Sequence, residues 1–354
     1  MIDPNTKQTA VQVCTHFIHQ YFSPLLLFSY VLAALLPGPG LILRNISFGS
    51  VMLPGLGETH VSLSMLMLSM LLLNAGLGIR AKELLELRQK PQILLVGFGA
   101  NMLVPIMLVI ALRGMLGLWH SQDELFNVLV GLALIIAMPI AGSSTAWAQN
   151  ANGNLSLSLG LVMLSTFLSP FTTPLVLQTF ACITAGDYSE DLTEMAKAGT
   201  NAFLCLTVVI PSLAGMIGHW LLGEERTIQL KPYLKLLNFI LLLTLNYSNA
   251  ATSLPQAFMK PDWDFLAFIL VVTIVVCSMA FTAGWAVAKG FKTSESDKAS
   301  LMFSLGMNNN GTGLVLAATA LNDHPTVMLP MIFYTLVQQV IAAIVDWRVF
   351  KTAD

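Results

Sequence analysis

The run Gly306-Met307-Asn308-Asn309-Asn310-Gly311-Thr312-Gly313 constrains this chain more than any other stretch. Three consecutive asparagines and three glycines interrupt a segment that is otherwise apolar enough to sit in a bilayer. Hydrocarbon offers no hydrogen-bond partner to an opened backbone, so such a break survives only inside protein or beside a water-filled cavity. A second break lies in the first half, at Met138-Pro139-Ile140-Ala141-Gly142-Ser143-Ser144-Thr145. Its proline removes a backbone donor and frees a carbonyl one turn back. Two interrupted segments at corresponding places in two halves of a chain mark the binding site of a secondary transporter.

The setting for these breaks follows from composition. Of 354 residues, 55% are hydrophobic and 10% charged, against about 25% charged in a soluble domain. The chain reads as an all-α polytopic membrane protein. Apolar runs bounded by charge, Pro or Gly place ten spans at 23–36, 59–79, 92–114, 125–147, 155–182, 200–222, 232–251, 264–289, 296–322 and 326–348. With the N-terminus inside, thirteen of the 17 Lys and Arg residues fall on the cytoplasmic side, as the positive-inside rule requires. Both termini are therefore expected in the cytoplasm. Residues 1–22 read as a cytoplasmic segment without the features of a signal peptide. Residues 23–350 read as a single transmembrane domain.

That domain divides around a loop at 183–199 into repeat one, 23–182, and repeat two, 200–348. Each repeat has five spans, and in each the fourth is broken. Five is odd, so the repeats are expected to be inverted. A net charge of −2 and the lack of any basic cluster give no sign of nucleic acid. Cys14, Cys182, Cys205 and Cys277 are scattered and read as small apolar residues. The six histidines lie near span ends or in loops, with no metal-ligand spacing.

Polar groups at membrane depth are costly and usually functional. The first break offers Ser143, Ser144 and Thr145; the second offers Ser304, Asn308, Asn309, Asn310 and Thr312. If each segment resumes as a short helix, its N-terminal donors face the break and favour an anionic group. Asn101 lies mid-span in the third segment. Gln338 and Gln339 are adjacent in the tenth, so at most one faces a shared cavity. No Asp, Glu, Lys or Arg falls in the middle of a span, which argues against simple proton coupling. A serine nucleophile at Ser143 or Ser144 would need a base, and none lies at depth, so no enzyme is expected.

The chain resembles the bile acid:sodium symporter family. The resemblance runs from about residue 25 to residue 348. Four motifs carry it: Ala75-Gly76-Leu77-Gly78-Ile79 before a basic loop; the Pro139 to Thr145 break; Gly153-Asn154-Leu155-Ser156-Leu157-Ser158 running on to Ser165-Thr166-Phe167-Leu168-Ser169-Pro170; and Leu305-Gly306-Met307-Asn308-Asn309. It implies ten helices in two inverted repeats, with helices 4 and 9 unwound and crossing near the midplane. Helices 1, 2, 6 and 7 would form a panel facing the rest, and the two parts would move against each other. Members take up organic anions with sodium.

Carried over by position, a first sodium site would use Ser144, Thr145 and Ser158, with Val162 where a Thr ligand is usual. A second would use the carbonyls of Leu305 and Met307, with Asn308 and Asn101 standing for glutamines. Ser304 occupies the place of a glutamate that bridges both sites. Substrate contacts would fall near Gly142, Ser143, Asn309 and Gln338 or Gln339. The expected function is secondary active transport of a small organic anion across a bacterial inner membrane, coupled to sodium. An ion-independent carrier or exporter of the same fold is the alternative that Ser304 and Val162 keep open.

Overall fold

A computed structural model describes residues 21–54, 57–79, 91–197, 200–321 and 323–351. Fifteen α-helices, a β-hairpin and a π-helical turn position the site. Helices α1 (Phe22–Leu35) and α2 (Pro37–Asn45) meet at a 93° bend. A β-hairpin follows, β1 (Ser47–Leu53) and β2 (Gly57–Ser62), then α3 (Leu63–Leu77). Next come α4 (Pro91–Leu116), α5 (Gln122–Ala137), α6 (Ser143–Asn150) and α7 (Leu155–Ala181). After α8 (Asp187–Lys197), α9 (Thr200–Leu204) runs through a π-helical turn, Cys205–Val209, into α10 (Ile210–Ala250). The second half closes with α11 (Leu254–Met259), α12 (Trp263–Gly290), α13 (Glu295–Gly306), α14 (Asn310–Ala320) and α15 (Met328–Val345).

Both broken segments are broken where the sequence says. The 125–147 span separates into α5 and α6 around Met138–Gly142, and the 296–322 span into α13 and α14 around Met307–Asn309. The spans 200–222 and 232–251 run on as α10, which turns at Gly223, where φ is 77°. Only glycine adopts that conformation at no steric cost. Among the described residues, five helices are long and apolar enough to cross a membrane unaided: Pro91–Gly114, Leu155–Ala181, Thr200–Ala250, Trp263–Gly290 and Pro325–Phe350.

Three expectations need correction. The span drawn from residue 59 begins at Leu63, because 57–62 is the second strand of the hairpin. The stretch 36–58 carries a short helix and a strand where no element was expected. The loop at 183–199 is mostly α8, whose Leu192 and Met195 are buried against the body of the protein. The basic loop at 80–90 and the N-terminal segment lie outside the described residues, so most of the charge asymmetry does too.

Two helix groups emerge from the packing. Helix α10 lies against α1, α2 and α3. Helices α4, α5, α6 and α7 pack with α12, α13, α14 and α15. The broken helices sit deepest. From Asn127 to Ala137 every residue of α5 is buried, as is every residue of α13 from Ala299 to Gly306. A helix apolar all round belongs in an interior. Helix α4, by contrast, exposes Leu95, Leu103 and Met107, as expected of a surface facing acyl chains.

Candidate functional site

The two breaks cross and bond to each other. Ile140 and Asn308 form an isolated antiparallel bridge. The Ala141 N–H donates to the Met307 carbonyl at 2.9 Å, and the Asn309 N–H donates to the Pro139 carbonyl at 2.8 Å. Each break thus supplies what the other lost. Buried backbone groups must be paired somewhere, and side chains complete the set. Ser165 accepts from the Ile140 N–H at 3.0 Å, and Thr173 donates to the Ala137 carbonyl at 2.6 Å. Gln338 binds both backbone groups of Asn308: its Oε1 accepts from the N–H at 3.3 Å and its Nε2 donates to the carbonyl at 3.4 Å. Asn309 caps α14, its Oδ1 accepting the Thr312 N–H at 3.3 Å. Gly306 is required here, since a Cβ would lie 2.4 Å from the Phe281 ring.

One set of predicted ligands is assembled. Thr145 and Ser158 hydroxyls stand 3.1 Å apart, and Ser158 and Ser304 3.3 Å apart. Helices α6, α7 and α13 each contribute one. Ser158 and Ser304 are fully buried. Ser144 is fully buried too, and its hydroxyl has no partner. The second set is looser. The Asn101 amide donates at 3.5 Å to both the Leu305 carbonyl and the Asn308 Oδ1. The Met307 carbonyl already accepts the Ala141 N–H, which leaves it one lone pair. No group of three His, Cys, Asp or Glu among the described residues could hold a metal ion.

The residues predicted to touch substrate part company. Gly142 and Asn309 line a small cleft of about 30 Å³, bounded also by Gly76 of α3, Thr166 of α7 and Ser212 of α10. Nothing approaches within 4 Å of where a Gly142 Cβ would stand, so the break opens on this cleft. Ser143 is exposed beside it. Gln338 reaches the breaks by hydrogen bonds and is not among the cleft's walls. Gln339 instead accepts the Trp147 indole N–H at 3.2 Å. The two glutamines do point apart, as adjacent helix positions must.

Sequence reasoning missed several participants. Ser165 and Thr173 bind the freed groups of the first break; Ser165 lay in a motif of the resemblance but was given no role, and Thr173 was not singled out. Thr166 and Ser212 are polar walls; Thr166 lay in a motif of the resemblance but was given no role, and Ser212 had no local signal. Asp297 was passed over because it opens a span; it is 1% exposed and accepts from the Asn154 side chain at 2.8 Å. The Ser294-x-x-Asp297 pattern, in which Ser294 accepts the Asp297 N–H, is a capping signal that could have placed it. The same pattern opens α5, with Ser121 accepting the Glu124 N–H.

The chain is similar to known proteins. The model of the SBF-like CPA transporter family matches residues 20–349. The chain is 30% identical over 230 residues to "Uncharacterized protein YbaS" of Bacillus subtilis (strain 168), covering 64% of this chain and 71% of that one. It is 23% identical over 252 residues to "Uncharacterized sodium-dependent transporter YocS" of the same organism, covering 71% and 72%. It is 24% identical over 265 residues to "Probable sodium/metabolite cotransporter BASS2, chloroplastic" of Oryza sativa subsp. japonica, covering 74% of this chain and 58% of that one.

Proposed function

This chain belongs to the SBF-like CPA transporter family, and from that premise we propose that it is a sodium-coupled symporter of a small organic anion. The observation that carries the reading is the crossed pair of breaks opening on a cleft between the two helix groups. Helices α6 and α14 both begin at the crossing. Their N-terminal donors and partial positive charge suit a carboxylate. Gly142 lets backbone reach the cargo, and Asn309 offers an amide beside it. The ten segments would form two inverted repeats of five, both termini in the cytoplasm. Rocking of the α1–α3 and α10 group against the rest would expose the cleft to each side in turn.

Sodium fits the donor chemistry. Thr145, Ser158, Ser304 and Ser144 are neutral hard oxygens, and the Ser144 hydroxyl lacks a partner. An entering ion would replace the mutual bonds of the other three. Two relatives are named as sodium-dependent or sodium cotransporters. The ion-independent reading is favoured by one observation: the hydroxyl chain is already closed on itself, with Ser304 where a carboxylate would hold it open.

Proteoliposome uptake of labelled monocarboxylates tests both. A symporter accumulates at least one of them only under an inward sodium gradient, and Asn309→Ala abolishes that accumulation. Equal uptake with and without the gradient sinks the coupling and leaves the carrier. No uptake of any anion removes the proposed cargo.

A further inference from the structure

The three helices that supply the hydroxyl cluster meet again one turn away from it, at Gly153-Asn154 between α6 and α7. Every polar group of Asn154 is engaged. Its Oδ1 accepts the Leu157 N–H at 3.1 Å and so caps α7. Its N–H donates to the Ser296 carbonyl at 2.9 Å, and its Nδ2 donates to the Asp297 carboxylate at 2.8 Å. Its carbonyl accepts both the Ser158 N–H at 3.1 Å and the Ser300 hydroxyl at 2.7 Å. Gly153 ties in the third helix, donating to the Ala148 carbonyl of α6 at 2.7 Å. The approach is tight enough to require glycine. A Cβ there would stand 2.8 Å from that carbonyl oxygen and 3.0 Å from the Ser300 Oγ.

The spacing ties this turn to the ligand set. Ser158 follows Asn154 by four positions, and Ser304 follows Ser300 by four. Asn154–Ser300 and Ser158–Ser304 are therefore successive rungs between α7 and α13, about 6 Å apart along the helices. The first rung is the 2.7 Å bond, and the second is the 3.3 Å contact of two hydroxyls. An ion entering the cluster takes the second rung away. The first then has to keep the two helices at the same separation. Asp297 and Ser300 are buried, so water does not compete for their bonds to Asn154.

We propose that Asn154, through its bonds to Ser296, Asp297 and Ser300, is a positioning residue for sodium: it fixes the distance between Ser158 and Ser304 at which the ion is held. The proposal rests on the sodium-coupled reading and adds to it residues that touch neither ion nor cargo. Such outer partners orient the ligands and limit how far they relax when the ion leaves. They matter more here because the ligands are neutral hydroxyls, which no charge draws towards the ion.

The test follows the melting temperature of the purified full chain against sodium concentration, with choline holding the ionic strength constant. Asn154→Asp keeps the cap of α7 but sets a second carboxylate against Asp297. Combining it with Asp297→Asn turns the bond round, with the amide now on α13. Ser300→Ala removes the first rung alone and carries the test if Asn154→Asp does not fold. We expect Asn154→Asp and Ser300→Ala each to raise the half-saturating sodium concentration about tenfold, and the double substitution to return it to within about threefold of the wild type. Lower melting temperatures at an unchanged half-saturating concentration make the contact merely structural and overturn the proposal. A double substitution no better than Asn154→Asp alone also overturns it. A wild-type chain that sodium does not stabilise overturns the coupled reading itself, and the positioning role with it.

Discussion

Ser304 is the residue on which ion coupling turns. It joins Ser158 through a 3.3 Å contact deep in the protein, in a donor set with no formal charge. A carboxylate there would offset part of the cost of stripping water from a cation. Ser304→Glu is therefore expected to raise sodium affinity at least tenfold, read as sodium-dependent thermal stabilisation of the purified protein. Unchanged affinity would mean that sodium does not visit this site. Gln338 carries a different load, since it satisfies both backbone groups of buried Asn308. The Asn308 carbonyl keeps the Asn310 N–H at 2.9 Å, but its own N–H would be orphaned; orphaning a buried group costs about 1–3 kcal/mol, and Gln338→Leu should destabilise by about that much. Denaturant titration in detergent checks this. At this scale the residues inside the breaks were legible, because Asn, Gly and Pro are conspicuous in an apolar run. Their satisfiers Ser165 and Thr173 were not. Their meaning depends on a partner more than twenty positions away in sequence.

Helices α3 and α10 cross backbone to backbone. A Cβ on Gly76 would stand 2.1 Å from the Ser212 carbonyl oxygen, and one on Gly215 2.0 Å from that of Leu73. Small residues allow such approach between membrane helices. Gly76→Val should force the helices apart and lower the melting temperature, at a cost of about 1–3 kcal/mol or more. Gly99→Ala is the control, since nothing lies within 4 Å there; it should leave stability unchanged or raise it. The span pattern was readable because each apolar run is long. Helix α8 was not, because its acidic residues hide the apolar positions Leu192, Met195 and Ala196. The hairpin at 47–62 was missed because six- and seven-residue strands are too short to register in span-length windows. Helix α8 also carries a pH dependence. His324 and Asp191 stand 3.6 Å apart. Burial nevertheless raises the Asp191 carboxyl above its ordinary value, against the pull of His324. A raised acid stabilises the fold below its unfolded pKa, and that contribution is lost as pH rises through the folded value. Melts across the carboxylate range should show this loss, and Asp191→Asn should flatten it.

For the whole molecule, the crossing of the breaks explains why a deep interior should contain unpaired helix ends at all. Two half-helices start at one point, their lost bonds are exchanged between them, and a cleft meets them from the side of α3 and α10. The class of protein and the two breaks were readable from composition and periodicity. That the breaks bond to each other was not, since no local pattern encodes a contact across 168 residues. The most direct measurement is an anomalous-scattering map of the protein bound to a brominated aliphatic monocarboxylate. The account predicts the ligand's carboxylate between Gly142 and Asn309, at the starts of α6 and α14. A ligand seated elsewhere, with that crossing filled by side chains alone, would contradict it.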